Sequence, residues 1–188
     1  MTKTLLLIIT GLPCSGKTTL SRKIAKELCI PLISRDHIKE SLFDSLGVGD
    51  REWSKKLGLA SYKVLYQLLD SFLKVGQSVI VESNFNPEFD KDKFLNLQEK
   101  YKFSTLQIMC NTDGKILFER FKKRSESDER HPGHVDDQNY DEFKNVLSKG
   151  KLPALDIEGK VLDIDTTDFE GIDYTLILSV IKSVASST

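Results

Sequence analysis

Eight consecutive residues, Gly11-Leu12-Pro13-Cys14-Ser15-Gly16-Lys17-Thr18, set two glycines, a lysine and a hydroxyl at the spacing G-x-x-x-x-G-K-[ST]. Glycine lets the backbone curl so that successive N–H groups converge on one anion. Lys17 adds a full positive charge, and the Thr18 hydroxyl is a hard oxygen ligand of the kind Mg²⁺ takes. A helix that opens at this point contributes the positive end of its dipole. The group such a segment holds is a phosphate chain, and Gly11 to Thr19 is expected to bind Mg-ATP. The competing reading is a glycine-rich strand-to-helix turn without a ligand.

The motif needs a strand before it and a helix after it. Leu5 to Ile9 is a continuous apolar run, as in a strand buried on both faces, and Leu20, Ile24 and Leu28 then recur at helical spacing. Pro31 stops that helix and opens a short strand at Leu32-Ile33. The pattern predicts a helix from Asp36, then a long helix over about 52–75 with Leu57, Ala60, Val64, Leu68 and Phe72 on one face. A strand over Val79–Val81, a helix from Pro87 to about Tyr101, a strand over Leu106–Met109 and a helix from Asp113 through Phe121 follow. Residues 122–137 are dense in charge around Pro132-Gly133 and read as a flexible lid. A polar helix over Asn139–Lys149, a strand over Val161–Ile164 and a helix over Asp173–Val184 complete the pattern. Strands separated by helices predict an α/β chain with a five-stranded parallel sheet between two helical layers, forming one domain over 1–188.

With these motifs the chain resembles the small P-loop kinases within the P-loop NTPase fold. The resemblance is to the 5'-kinase domain of polynucleotide kinases and, more distantly, to zeta-toxin kinases and chloramphenicol phosphotransferase. It is carried by the P-loop, by Ser34-Arg35-Asp36-His37-Ile38-Lys39 and by Val79-Ile80-Val81-Glu82-Ser83-Asn84. It implies that Asp36 accepts the proton of an attacking hydroxyl, and a carboxylate at the C-terminal end of a parallel strand lies where such sheets bind ligands. Asp36 would equally serve as an N-cap. Lys39 stands where those kinases carry an Arg that holds a substrate phosphate, and a lysine offers a point charge in place of a fork. Glu82 would order a Mg²⁺-bound water or the acceptor and Asn84 would hydrogen-bond the substrate, the alternative for each being a satisfied polar strand end. Lid arginines close over the phosphates in these kinases, which points to Arg124 and Arg130, with Arg120 on the face of Arg124; each would otherwise be a solvated charge.

His131 and His134, three apart with no nearby Cys, fall short of a zinc ligand set. Asp165-Thr166-Thr167 follows the last strand, where the kinases this chain resembles pass their backbone near the adenine, and it otherwise reads as a loop with a capping Thr; Cys14 reads as a spacer and Trp53 as core or rim. Asn111-Thr112-Asp113 lacks the Lys of the guanine-reading Asn-Lys-x-Asp element, so ATP is expected over GTP.

The formal charge of -1 gives no global excess of cations for a nucleic-acid backbone. Three widely spaced cysteines fit a reducing compartment, and no apolar run approaches a membrane span; a cytoplasmic protein is expected. The expected reaction is transfer of the ATP γ-phosphoryl group to a hydroxyl of a small molecule or a nucleic-acid 5' end. The rival is an ATP-dependent switch that hydrolyses slowly and has no acceptor.

Overall fold

The computed structural model describes residues 3–127, 131–134 and 140–186, the side chains of 140–142 excepted. The apolar run after Thr4 forms β1 (Leu5–Gly11), followed by α1 (Lys17–Leu28), β2 (Leu32–Ser34), α2 (Arg35–Leu46) and α3 (Arg51–Lys74). Next come β3 (Val79–Glu82), α4 (Pro87–Lys100), β4 (Ser104–Asn111) and α5 (Gly114–Ser125). A single 3-10 turn (Pro132–His134), α6 (Tyr140–Leu147), β5 (Lys160–Asp165) and α7 (Tyr174–Ser186) complete the described chain.

The five strands form one parallel sheet in the order β2-β3-β1-β4-β5. β1 lies at its centre, and alternate residues serve opposite faces. Leu5, Leu7 and Ile9 pack with Leu20 and Ile24 of α1 and with Ile177 and Ile181 of α7. Leu6 and Ile8 pack on the other face with Leu65, Leu69 and Leu73 of α3 and Phe94 of α4. The continuous apolar run is thus the sum of two alternating faces, each covered by helices, in the three-layer α/β arrangement expected of a P-loop kinase fold. A smaller cluster joins Leu12 of the P-loop to Leu117 and Phe121 of α5 and Leu147 of α6, tying the phosphate loop to the end of the molecule that carries the arginines.

Two local expectations are corrected. The buried face of α3 is Ser54, Leu57, Gly58, Ser61, Leu65, Leu69 and Leu73, rotated from the set containing Ala60, Val64 and Leu68. Its N-terminal half faces a cavity and uses small polar residues there, which an apolar-periodicity argument passes over. The segment expected to be loop from Lys122 instead continues α5 to Ser125, because Phe121 is buried and holds the last turn down. No helix among the described residues is long and apolar enough to cross a membrane.

Candidate active site

Most of the helix starts are capped by a carboxylate or amide side chain, as at Asp50 before α3, Asn86 before α4 and Asp113 before α5. The starts of α1 and α2 have no side-chain cap, and α1 also lacks the acidic residue that α2 carries in its first turn. Gly16 stands at the N-cap with φ 79°, no side chain caps the first turn and no acidic residue lies in it. Those backbone donors are left for an external acceptor. A Cβ at Gly16 would meet the Phe169 ring at 1.7 Å, and one at Gly11 would lie 2.6 Å from the Cys110 carbonyl oxygen. Both positions therefore require glycine. The Ser15 hydroxyl in the same loop is buried and has no hydrogen-bond partner among the described residues.

Lys17, Ser34 and Glu82 come from three adjacent elements and meet at the C-terminal end of the sheet. The Lys17 ammonium lies 4.0 Å from Glu82 Oε1 and donates a long bond of 3.4 Å to the Leu12 carbonyl. Ser34 Oγ donates to Glu82 Oε2 at 2.8 Å. Glu82 is buried, so this charge is held by a cation and a hydroxyl and not by water.

Two cavities flank Lys17. One, of about 300 Å³, is lined by Cys14, Gly16, Lys17, Thr18, Thr19, Arg120, Arg124 and Phe169. The other, of about 490 Å³, is lined by Lys17, Asp36, Lys39, Asn84 and Arg124, with Arg35, Tyr62 and His134 among the remaining walls. Lys17 and Arg124 line both. Cys14, Gly16, Thr18 and Thr19 thus border the smaller cavity, while Pro13 and the residues just after β2 and β3, Asp36 and Asn84, border the larger.

Arg120 donates to the carbonyl oxygens of Thr166 at 3.0 Å and Thr167 at 2.7 Å, and its guanidinium lies 5.6 Å from the Phe169 ring centroid. It therefore ties α5 to the loop after β5. In that loop Thr166 Oγ1 and Thr112 Oγ1 are 2.7 Å apart, and the Thr167 hydroxyl accepts from the Asp113 amide at 3.0 Å, as expected of a stapled, capped loop. Arg130 lies outside the described residues.

In the larger cavity Asp36 is partly exposed and 3.2 Å from Arg35 Nη1. Lys39 is buried, and its ammonium donates to Ser54 Oγ on α3 at 2.8 Å. Asn84 is presented by the β3–α4 connection. That connection is held by Tyr66 Oη donating to Asp90 Oδ1 at 2.7 Å and by the Asn86 amide donating to Asp90 Oδ2 at 2.8 Å. Burial, and then the Asp90 carboxylate, push the Tyr66 phenol well above its ordinary range; burial also raises Tyr62, against the opposing pull of Arg35. Both stay neutral donors across physiological pH.

The two histidines pair with carboxylates of α2. His131 Nε2 is 3.2 Å from Asp44 Oδ1, and His134 Nε2 is 3.1 Å from Glu40 Oε1, both carboxylates belonging to α2. Phe43 lies between them, stacked on His131 at 5.3 Å and edge-on to His134 at 5.9 Å. The 3-10 turn is thereby fastened to the helix that carries Asp36. Arg35, Gly58, Tyr62 and Phe169 are further wall residues that sequence reasoning missed. Arg35 stands next to Asp36 in the motif, but only its burial marks it as a wall residue; Phe169 and Gly58 had no local signal.

The family model described as an AAA domain matches residues 6–149, well over half of the chain. The chain belongs to this family. A kinase candidate from Chloroflexus aurantiacus j-10-fl has a crystal structure that superposes with a TM-score of 0.91, at 39% identity over 97% of this chain and 98% of that one. A shikimate kinase of Clostridium botulinum (strain Langeland / NCTC 10281 / Type F) is 24% identical over 155 residues, which is 72% of this chain and 89% of its own. A chain of the Pnkp1/Rnl/Hen1 RNA repair complex shares the fold with a TM-score of 0.51 at 19% identity, over 84% of this chain and 50% of that one. The small P-loop kinase resemblance is thus upheld. The family is one of kinase-like P-loop proteins, which implies ATP as the phosphoryl donor.

Proposed function

We propose that the protein is an ATP-dependent phosphotransferase that moves the γ-phosphoryl group of ATP to a hydroxyl of an acceptor seated in the larger cavity. The observation that carries this reading is that Lys17 and Arg124 line both cavities, with Asp36 on the wall of the larger one only. A triphosphate held by Gly11 to Thr19 would end between those two cations, facing Asp36.

In this reading the Asp36 carboxylate takes the acceptor proton as the acceptor oxygen bonds to the γ-phosphorus. The bond from phosphorus to the β,γ-bridging oxygen breaks, and ADP leaves. Lys17 and Arg124 hold the equatorial oxygens, Lys39 and Asn84 orient the acceptor, and Arg120 braces the loop beside the base. Arg130 would be a second lid arginine. Catalysis is then positioning and fixed charge, with little covalent work for the protein.

The residues also fit Mg²⁺. The Thr18 hydroxyl and the buried Glu82 carboxylate form the sparse oxygen set this ion uses when phosphates and water supply its other ligands. When bound, the ion offsets charge on the β- and γ-phosphates. Thr18 would hold it directly and Glu82 through water.

The test is ADP formation from Mg-ATP with a panel of hydroxy acids, sugars, sugar phosphates, nucleosides, antibiotics and 5'-hydroxyl oligonucleotides, with ³¹P NMR of the products. A phosphorylated acceptor supports the reading. Slow hydrolysis that no acceptor stimulates would favour an ATP switch.

A further inference from the structure

The larger cavity carries a surplus of positive charge. Among the described residues Lys17, Arg35, Lys39, Arg51, Lys55 and Arg124 line it, against a single carboxylate, Asp36. Lys17 and Arg124 are shared with the smaller cavity, and Lys55 pairs with Glu52 at 2.7 Å on the surface. Arg35, Lys39, Arg51 and Lys55 line the larger cavity and not the smaller one, and Lys39 also donates to Ser54.

Arg35 is the cation whose donors are left unmet. Its side chain is 16% exposed, and its guanidinium lies 4.9 Å from the Tyr62 ring centroid. It meets Asp36 through Nη1, while Nε is buried and has no hydrogen-bond partner. A guanidinium carries five donors in a planar fork, so one carboxylate contact leaves it under-satisfied at a burial where that is costly. Gly58 borders the same fork: a Cβ there would come within 3.2 Å of Arg35 Nη2. Arg51, Gly58 and Tyr62 recur at helical spacing along α3, and all three line the cavity. A vacant space beside a half-used fork, with a second arginine on the same helix face, suits a planar or tetrahedral oxyanion.

We infer that the acceptor carries an anionic group, a carboxylate or a phosphate ester, in addition to its reacting hydroxyl, and that Arg35 with Arg51 binds this group in the space kept open by Gly58. The inference rests on the reading of the larger cavity as the acceptor site. Arg35 then sets specificity, and Asp36, held by its neighbour, stays beside the hydroxyl.

The test separates binding from turnover. Binding of matched pairs is measured by calorimetry with a non-hydrolysable ATP analogue present. D-gluconate is compared with glucose and shikimate with its methyl ester, for the carboxylate arm; ribose 5-phosphate is compared with ribose for the phosphate arm. In at least one pair the anionic member is expected to bind on the order of tenfold to a hundredfold more tightly, as for a hydrogen-bonded charge. Arg35→Met is expected to erase that preference while affinity for the ATP analogue is retained. Gly58→Ala, which favours the helix and so folds, should weaken the same anionic ligand. The inference falls if both members of every pair bind equally, if none binds, or if Arg35→Met leaves the preference intact. Anion-selective binding without phosphorylation would sink the phosphotransferase reading and keep the subsite. Phosphorylation of neutral and anionic members at equal kcat/KM would do the reverse.

Discussion

Lys17 and Glu82 illustrate how a single residue pair serves two states of the site. Each is buried, and each is the other's counter-charge across 4.0 Å. Removing one charge strands the other, at a cost of about 3 kcal/mol for a pair of this burial. Glu82→Gln is therefore expected to unfold at lower temperature than the wild type without nucleotide and to recover much of that loss in saturating Mg-ATP, whose phosphates would replace the lost partner. Thermal unfolding with and without Mg-ATP checks this, and an equal deficit in both conditions would count against Lys17 as a phosphate ligand. At this scale the candidate walls were legible in part: Pro13, Cys14, Gly16 to Thr19, Asp36, Lys39, Asn84, Arg120 and Arg124 line one or both cavities, while Gly11, Leu12, Ser15 and Glu82 line neither. Arg35 was passed over because a charged residue beside a proposed base reads as solvent-facing until its burial is seen. Phe169 was passed over because its place against Gly16 is set by a loop more than 150 residues away in the chain.

At the scale of elements, the turn Pro132–His134 and helix α2 act as one piece. His131 and His134 grip Asp44 and Glu40 about Phe43, and Gly133 leaves room for that ring; a Cβ there would come within 2.5 Å of it. Gly133→Ala should push the turn off α2 and loosen the wall that includes His134. Turnover with an acceptor is then expected to fall about tenfold, the cost of roughly 1–2 kcal/mol of misplacement. Affinity for ATP should hold, since the P-loop is elsewhere. Steady-state kinetics with both substrates varied will show whether the loss follows the acceptor or ATP. Helix and strand order was legible from apolar spacing, but the buried face of α3 was not. Its N-terminal half turns Ser54 and Gly58 to a cavity, and hydrophobic periodicity reports only where helices meet a core.

Across the whole molecule, the sheet centre sets the stability that the site relies on. Cys110 lies there, fully buried on β4, and burial pushes its thiol up to about 12 from an ordinary 9.0. The folded state keeps that proton where the unfolded chain gives it up, so this group's contribution to stability declines as pH rises from about 9 to about 12. At pH 8 a thiol reagent should label exposed Cys29 at once and Cys110 only as fast as the molecule opens. Labelling of Cys110 much faster than global unfolding, followed by circular dichroism, would show that this face of the sheet opens locally. The parallel sheet itself was legible because its central strand opens with five apolar residues in succession, Leu5 to Ile9, and a strand buried on both faces is what accommodates such a run. Division of the C-terminal end into two cavities joined at Lys17 and Arg124 was not, since it depends on where α3, α5 and the loop after β5 come to rest. That division is the core of the phosphotransferase reading, and Asp36→Asn probes it most directly. ATP affinity and single-turnover phosphoryl transfer to the best acceptor are measured side by side. The variant is expected to bind ATP within about twofold of wild type and to transfer at least about a hundredfold more slowly, as for a lost general base. Transfer at the wild-type rate, or a loss of ATP affinity that accounts for the whole defect, would contradict a base standing in the acceptor cavity.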